Sequence, residues 1–359
     1  MFLEKLLLNN YKNFSDIKFN FETKIVCFTG LNGVGKTNIL DAIYHLSYTK
    51  SYFNSIQADN IKHDQEYMTI TGLYEKNNKE EKITLSLKRN EKKILMKNGK
   101  KYKKFIDHIG LIPAVIISPV DRNLISDGSD IRRKFIDGII SQNDKEFLFN
   151  LIEYNRTLKQ RNKALKLFFN DKKKLVSTLE IYNFKLSKLG LNIYKKRNDF
   201  LKEFIPIFKN RYFELSNNKE LVDIDYKSDL NNEEEFSKIL NNSIENDLRY
   251  KYTTKGIHKD DLLFLKDKNS VKKFASQGQQ KSFLIALKLA QFDYLSKGNK
   301  KPILLLDDIF DKLDDIRVEQ IIKLVNDDHF NQIFVTDTNK ERSESIIKKV
   351  NKSYKIFQI

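Results

Sequence analysis

The run Gly30-Leu31-Asn32-Gly33-Val34-Gly35-Lys36-Thr37 matches the pattern G-x-x-x-x-G-K-[ST] in full, and nothing else in the chain constrains its fold as strongly. The glycines permit backbone conformations that aim successive N–H groups at one point, and a lysine and a hydroxyl follow at once. Such a loop needs a strand ahead of it and a helix behind it. Ile25–Thr29 is a short apolar run of strand character, and Ile39, Leu40, Ile43 and Leu46 mark one face of a helix over 37–48. Loop and helix N-terminus together suit phosphate. Lys36 then faces the β- and γ-phosphates of ATP, and Thr37 faces a Mg2+ ion. The expected nucleotide-binding set is Gly30, Leu31, Asn32, Gly33, Val34, Gly35, Lys36, Thr37 and Asn38.

A P-loop needs an acidic strand end to complete a metal site. Pro302-Ile303-Leu304-Leu305-Leu306-Asp307-Asp308 supplies one, its apolar run predicting a fully buried parallel strand. Asp307 is expected at the metal with Thr37, and Asp308 is placed to polarise the attacking water, with Lys36 and Asp308 as the catalytic pair. Lys36 and Asp307 stand too far apart in sequence for a compact P-loop core, so a segment is inserted between them. Just before the acidic strand, Ser276-Gln277-Gly278-Gln279-Gln280-Lys281 opens a helix over 277–296. A hydroxyl, a glycine and a helix N-terminus form a second phosphate reader, although Ser276 also suits a plain N-cap. The order of P-loop, long insertion, Ser-x-Gly-Gln helix and acidic strand resembles that of ABC-type ATPases, in which the signature helix of one subunit closes over ATP held by another. That resemblance makes Ser276, Gln277, Gly278, Gln279 and Lys281 a signature acting in trans, within a homodimer.

The rest of the chain divides around these motifs. Apolar runs at 2–8 and 113–118 read as strands, and 67–97 alternates with period two up to an Asn98-Gly99 turn. Residues 129–215 carry a helical period, interrupted at Pro206 and weakened at Gly190. Residues 216–247 read as a loop and a short helix, and α/β alternation resumes from 260 with strands at 262–265, 303–306 and 332–336 and helices at 277–296 and 316–326. The predicted fold class is α/β: an ABC-type P-loop ATPase head with an antiparallel β subdomain and an inserted helical arm domain. The head takes 1–120 and 250–359, with its meander at about 65–105, and the arm takes 121–249.

Charge narrows the partners. Lys+Arg 65 against Asp+Glu 48 gives a net charge of +17, which points to a polyanion such as nucleic acid or acidic lipid. A Lys- and Asn-rich composition, visible in Lys76-Asn77-Asn78-Lys79, is the plainer source of part of the excess. Residues 151–200 hold thirteen basic side chains against four acidic ones, and a second cluster surrounds the predicted hairpin. The candidate DNA contacts are Lys100, Lys101 and Lys103 on the hairpin, with Arg161, Lys172, Lys173 and Lys174 on the helical segment. No helix-turn-helix, zinc-finger or RRM signature is present, so binding should follow charge and shape. The lone Cys27 excludes an intramolecular disulfide and suits a reducing cytoplasm. Met1-Phe2-Leu3-Glu4-Lys5 lacks the character of a signal peptide, and no run of apolar residues is long enough for a membrane span.

At this point the sequence resembles the RecF family of bacterial recombination-mediator ATPases, ABC/SMC-like P-loop proteins, along essentially its whole length. The match is carried by Asn10-Tyr11-Lys12-Asn13-Phe14, by Ser118-Pro119-Val120-Asp121 with Arg132-Arg133-Lys134-Phe135 and Asp137, and by Gln160-Arg161-Asn162. It continues in Thr253 to Leu262, in the Ser276 signature and in Leu306-Asp307-Asp308. The resemblance adds Lys12 and Asn13 to the ATP-binding set. It implies an ATP-driven dimer that clamps duplex or gapped DNA, slow DNA-stimulated ATP hydrolysis, RecO and RecR as partners, and help to RecA loading. Ile257 replaces the family's proline, and Asp311-Lys312-Leu313-Asp314 stands where the family shows Ser-Glu-Leu-Asp. The shorter carboxylate of Asp308, where ABC ATPases commonly carry glutamate, implies slow turnover. Thr336 or Asp337 stands where ABC ATPases place a switch histidine, and His258 reads equally as a polar contact or a structural hydrogen bond. An ABC subunit of a transporter is the alternative, and the matches at Gln160–Asn162 and Gly256–Asp261 speak against it. An SMC-like protein with long arms is excluded by the short insertion, which lacks sustained heptads.

Overall fold

The computed structural model describes residues 1–168, 172–216, 220–230, 233–297, 300–308, 332–350 and 353–359. Asp311-Lys312-Leu313-Asp314 and the helix expected at 316–326 lie outside the described residues. In chain order the elements are β1 (Phe2–Tyr11), β2 (Phe14–Asn20), β3 (Ile25–Thr29), α1 (Lys36–Tyr48), β4 (Tyr67–Lys76), β5 (Lys79–Lys88), β6 (Ile94–Lys97), β7 (Lys100–Lys101) and β8 (Ala114–Ile117). There follow α2 (Asn123–Ser126), α3 (Ser129–Asn143), α4 (Lys145–Leu167), α5 (Lys172–Leu215), β9 (Val222–Lys227), α6 (Glu233–Asn242) and α7 (Ile244–Tyr250). The chain ends through β10 (Asp261–Lys266), β11 (Asn269–Ser270), α8 (Val271–Phe274), α9 (Gln277–Ser296), β12 (Ile303–Leu306), β13 (Gln332–Asp337), α10 (Lys340–Val350) and β14 (Tyr354–Gln358). They form two compact units, Met1–Asp121 with Ile285–Ile359, and Arg122–Leu284.

In the first unit β14, β3, β13, β12 and β8 line up in that order, every neighbouring pair parallel. Their residues are buried almost without interruption in β3, β8, β12 and β13, as a sheet covered on both faces requires. A six-stranded antiparallel sheet ordered β2-β1-β4-β5-β6-β7 packs its apolar residues into the same core, where Leu6, Leu46, Ile70, Leu85 and Leu305 are wholly buried. The expected meander is therefore part of a larger sheet that begins with β1 and β2. Its Asn98-Gly99 turn has φ of 50° and 75°, the positive values that a two-residue hairpin loop demands.

The second unit is mainly helical. Pro206 does not interrupt α5, which runs on through it to Leu215. A proline removes one helix hydrogen bond, and the burial of Phe204 and Phe208 on either side carries the helix past that gap. Gly190 is not a weak spot but a clearance. A Cβ there would stand 2.3 Å from Phe236 Cε1, and one at Gly256 would stand 3.1 Å from Phe236 Cζ, so the wholly buried ring lies between two glycines. Gly190→Ala should therefore lower stability, as a fall in Tm. Overpacking costs about 1–3 kcal/mol and a ring this enclosed has little room to shift, so the clash outweighs the ~1 kcal/mol gained in helix propensity.

Two expectations for this unit need correction. Residues 222–227 form a strand, β9, whose Val-Asp-Ile-Asp-Tyr-Lys alternation was a legible signal. The segment from 250 to 284, expected in the head, belongs to the second unit. Strand β10 pairs antiparallel with β9 and β11, outside the parallel sheet. Asp260 and Asp261 bind the helices as well: Arg197 reaches Asp260 at 3.0 Å and Asp137 at 2.9 Å, and Arg132 reaches Asp261 at 2.7 Å. Among the described residues no helix is long and apolar enough to cross a membrane.

Candidate nucleotide-binding site

The P-loop joins β3 to α1 in the first unit. Gly30, Gly33 and Gly35 have φ of 153°, 86° and 111°, and crowding explains two of them independently. A Cβ on Gly30 would meet the carbonyl oxygen of Ile359 at 2.6 Å, and one on Gly35 would meet Asn13 Nδ2 at 2.4 Å. Asn13 braces the loop by donating from Nδ2 to the Val34 carbonyl at 2.8 Å, while its Oδ1 accepts from Asn38 Nδ2 at 2.8 Å. Leu31 and Asn32 lie exposed at the crest. The Lys36 ammonium is curled inside the loop, donating to the carbonyls of Gly30 at 2.8 Å and Leu31 at 2.9 Å.

Asp307 stands opposite. The parallel register pairs Leu306 with Ile117 of β8 and Val335 of β13, so the residues that follow, Asp307, Ser118 and Thr336, meet at the carboxyl end of the sheet. Thr37 Oγ1 donates to Asp307 Oδ1 at 2.7 Å, Thr336 Oγ1 to the same oxygen at 3.0 Å, and Ser118 Oγ to Oδ2 at 3.0 Å. The Thr336 hydroxyl also accepts from the backbone N–H of Asp308 at 3.0 Å, fixing that residue at φ 51°. Ser118 is held in turn: its N–H donates to Asp121 Oδ2 at 2.8 Å, and Asp121 forms a buried ion pair with Lys288 at 2.7 Å and accepts from the Tyr52 hydroxyl. Sequence reading missed Ser118 and left Thr336 without a role. The findable signal was a hydroxyl directly after each strand that flanks an acidic strand end.

Several candidates sit differently from expectation. Lys12 does not reach into the P-loop; its ammonium pairs at 2.6 Å with Asp41, a fully buried carboxylate that also accepts from Tyr11 and Ser51 hydroxyls and the Tyr52 N–H. Removing two charges from water is tolerable only when they are paired, and Asp41 holds Lys12 for that reason. Asp337 accepts from the Ser343 hydroxyl and the Asn339 N–H, which makes it a cap for the turn into α10. His258 is structural: its Nδ1 meets the Tyr154 hydroxyl and its Nε2 the Thr253 carbonyl, each at 3.0 Å, and burial lowers its pKa to about 4.

Ser276, in the second unit, closes a capping box. Gln279 N–H donates to Ser276 Oγ at 3.3 Å, and Ser276 N–H donates to Gln279 Oε1 at 2.9 Å. Gln279 also binds Glu220 at 2.6 Å, while Ser276, Gln277 and Lys281 are exposed and Gly278 is half-buried. Lys100, Lys101 and Lys103 are exposed, as are Lys173 and Lys174, the latter with its ammonium 4.7 Å from the Phe168 ring centre. The Lys172 side chain lies outside the described residues. Arg161 is no DNA contact, contrary to expectation. It is wholly buried, with Nη1 on Asp247 at 2.6 Å and on Thr253 Oγ1 at 2.7 Å, and Nε on Asn183 at 2.8 Å. An arginine pinned by three partners inside a helical unit organises its packing and touches no phosphate.

A parallel sheet with a glycine loop, a lysine and a braced acidic strand end at its carboxyl edge defines a P-loop nucleotide-binding protein. The model of the RecF/RecN/SMC N-terminal domain family matches residues 2–358, and the chain belongs to that family. Relatives named as the DNA replication and repair protein RecF include one from Flavobacterium johnsoniae, 52% identical over the whole of both chains, and one from Bacteroides thetaiotaomicron, 45% identical over all of this chain and 97% of its own. Among solved structures, the recombination mediator protein RecF-ATPrS in the RecFOR pathway superposes with a TM-score of 0.88 at 32% identity, covering 100% of this chain and 96% of that one. The Smc head domain from Pyrococcus furiosus shares the fold, at a TM-score of 0.55 and 16% identity, with 99% of this chain and 93% of that one covered.

Proposed function

We propose that this chain is an ATP-dependent DNA-binding protein of replication and recombinational repair. The observation that carries the reading is Asp307, held by Thr37, Ser118 and Thr336 beside a complete P-loop. ATP is the nucleotide, since a solved relative is the recombination mediator protein RecF-ATP. Thr37 and Asp307 offer adjacent hard oxygens, the donor set that Mg2+ takes. When bound, the ion neutralises charge on the β- and γ-phosphates. Lys36 leaves the loop carbonyls for the phosphates, the α1 N-terminus adds its N–H groups, and Asp308 orients and deprotonates the attacking water. Its short side chain makes hydrolysis slow, a timer more than a motor. Ser276 and its signature read the nucleotide of a second copy, so ATP assembles a homodimer. DNA lies along exposed lysines such as Lys100, Lys101, Lys103, Lys173 and Lys174, RecO and RecR are the partners in the cytoplasm, and the product is a site for RecA loading. No observation favours the transporter alternative.

Light scattering with and without MgATP, repeated with DNA, tests the reading. A monomer that stays monomeric under every condition overturns the ATP-driven dimer. ATPase rates unmoved by duplex or gapped DNA overturn the coupling to DNA. Reversing the charges of Lys172, Lys173 and Lys174 together should weaken duplex binding about equally for unrelated sequences. It should also flatten the slope of log K against log salt by roughly 0.9 for each phosphate no longer neutralised. An unchanged slope, measured by anisotropy titrations across salt, moves the duplex surface to the hairpin at Lys100.

A further inference from the structure

Just past α7, Tyr250 and Tyr252 stand out from the second unit with 53% and 43% of their surface exposed. Their ring centres are 5.9 Å apart and their planes are inclined by 37°. The loop that carries them is not loose. Lys251 caps α7 in the left-handed region at φ 59°, and its N–H donates to the Leu248 carbonyl. The next two residues are tied down: Thr253 N–H donates to Asn162 Oδ1 at 2.8 Å, Thr253 Oγ1 accepts from the buried Arg161 Nη1 at 2.7 Å, and Thr254 N–H donates to the buried Asp247 Oδ1 at 2.7 Å. The two rings thus keep apolar faces in water on a backbone fixed by the Arg161–Asp247 pair.

Cations frame the rings. The Arg249 guanidinium lies 5.8 Å from the Tyr250 ring centre and the Lys259 ammonium 4.8 Å from that of Tyr252, with Lys251 exposed between them. Lys255 is partly neutralised by Asp229 at 3.0 Å. Through Leu248, α7 packs on the cluster of Leu165, Leu175 and Leu179 at the ends of α4 and α5, next to Lys173 and Lys174. The helix that leads into the platform is thus packed on the same cluster as the start of α5, which carries the exposed Lys173 and Lys174.

We infer that Tyr250 and Tyr252, with Arg249, Lys251 and Lys259, form a stacking platform for the unpaired bases of single-stranded DNA. The inference rests on the DNA-binding reading and specifies which DNA this face takes. Unpaired bases offer π-faces to rigid aromatic rings, whereas duplex bases are already stacked on one another, and flanking cations hold the backbone without reading sequence. Such a face would hold the unpaired stretch of a gapped DNA.

The test compares anisotropy titrations of a labelled oligothymidylate and a blunt hairpin duplex, on the full chain and its variants. The Tyr250→Ala/Tyr252→Ala pair should lose roughly tenfold or more in single-strand affinity, the loss expected for removing one or more stacked bases. Its duplex affinity should stay within about twofold, and its single-strand salt slope should not change, because the cations that neutralise phosphates all remain. The Phe pair should keep wild-type affinity. The Leu pair, which retains side-chain bulk, should show the alanine loss and covers the case in which the alanine variant fails to fold. Wild-type duplex binding with single-strand affinity unmoved in the Ala or Leu pair overturns the platform alone. Equal losses on both substrates overturn it as well. A wild-type chain that binds neither substrate overturns the DNA reading itself.

Discussion

Lys36→Ala is expected to abolish tight ATP binding while leaving the fold intact. In the structure the Lys36 ammonium donates to the Gly30 and Leu31 carbonyls, so its position inside the loop is already established. The side chain supplies a positive charge that no neighbouring group of the loop replaces, and each charge-assisted hydrogen bond to phosphate is worth about 1.5–3 kcal/mol. Losing two such bonds weakens binding on the order of a hundredfold or more. Calorimetry with ATP measures this directly. Normal affinity in the variant would remove the P-loop reading, and with it the composite site.

The second large effect separates two roles that a single activity assay would merge. Ser276→Arg should leave ATP binding to the monomer nearly intact, yet prevent dimerisation and hydrolysis driven by ATP. On the proposed reading, the P-loop of one chain holds its own nucleotide, so the second phosphate reader serves a nucleotide brought by another copy. A long cationic side chain at the exposed first turn of α9 blocks that approach. The capping box between Ser276 and Gln279 adds a cost of about 1 kcal/mol when its hydroxyl is lost, which a thermal melt separates from the assembly defect. Asp308→Asn should do the reverse. Asp307 and the signature remain, so dimers should form with MgATP and persist because water is no longer deprotonated. Sedimentation of both variants with MgATP decides the matter. A Ser276→Arg dimer or an Asp308→Asn monomer would show that the site is not composite.

Arg161 illustrates what charge counting along a chain can miss. Within a basic stretch of helix it has the same composition signal as Lys173 and Lys174, yet one is enclosed between Asp247, Thr253 and Asn183 while the others are exposed. The helical period places Arg161 on the face of Leu165 and Tyr154, both buried, and that period was legible. Its partners were not, because Asp247 comes from a segment that read as loop and short helix, and Thr253 from one assigned to the head. Lys12 follows the same pattern. Its place in the β1–β2 turn could be read locally, whereas its pairing with Asp41 depends on how α1 packs beneath the turn.

What the sequence determined by itself was whatever is encoded in a few consecutive residues. The glycines of the P-loop, the apolar runs of β3, β8 and β12, the Asn98-Gly99 turn and the Ser276 helix start all follow from backbone sterics, period and capping, which act within a turn or a strand. The tertiary structure decided how distant segments align. Parallel strands are joined by long crossovers, so their register is set by the packing of both faces of the sheet and not by any local turn. That register brings Ser118 and Thr336 to Asp307, and the pairing of β10 with β9 takes residues 250–284 out of the head. Burial of the charged groups was decided there too, because a charge leaves water only where its partner already waits.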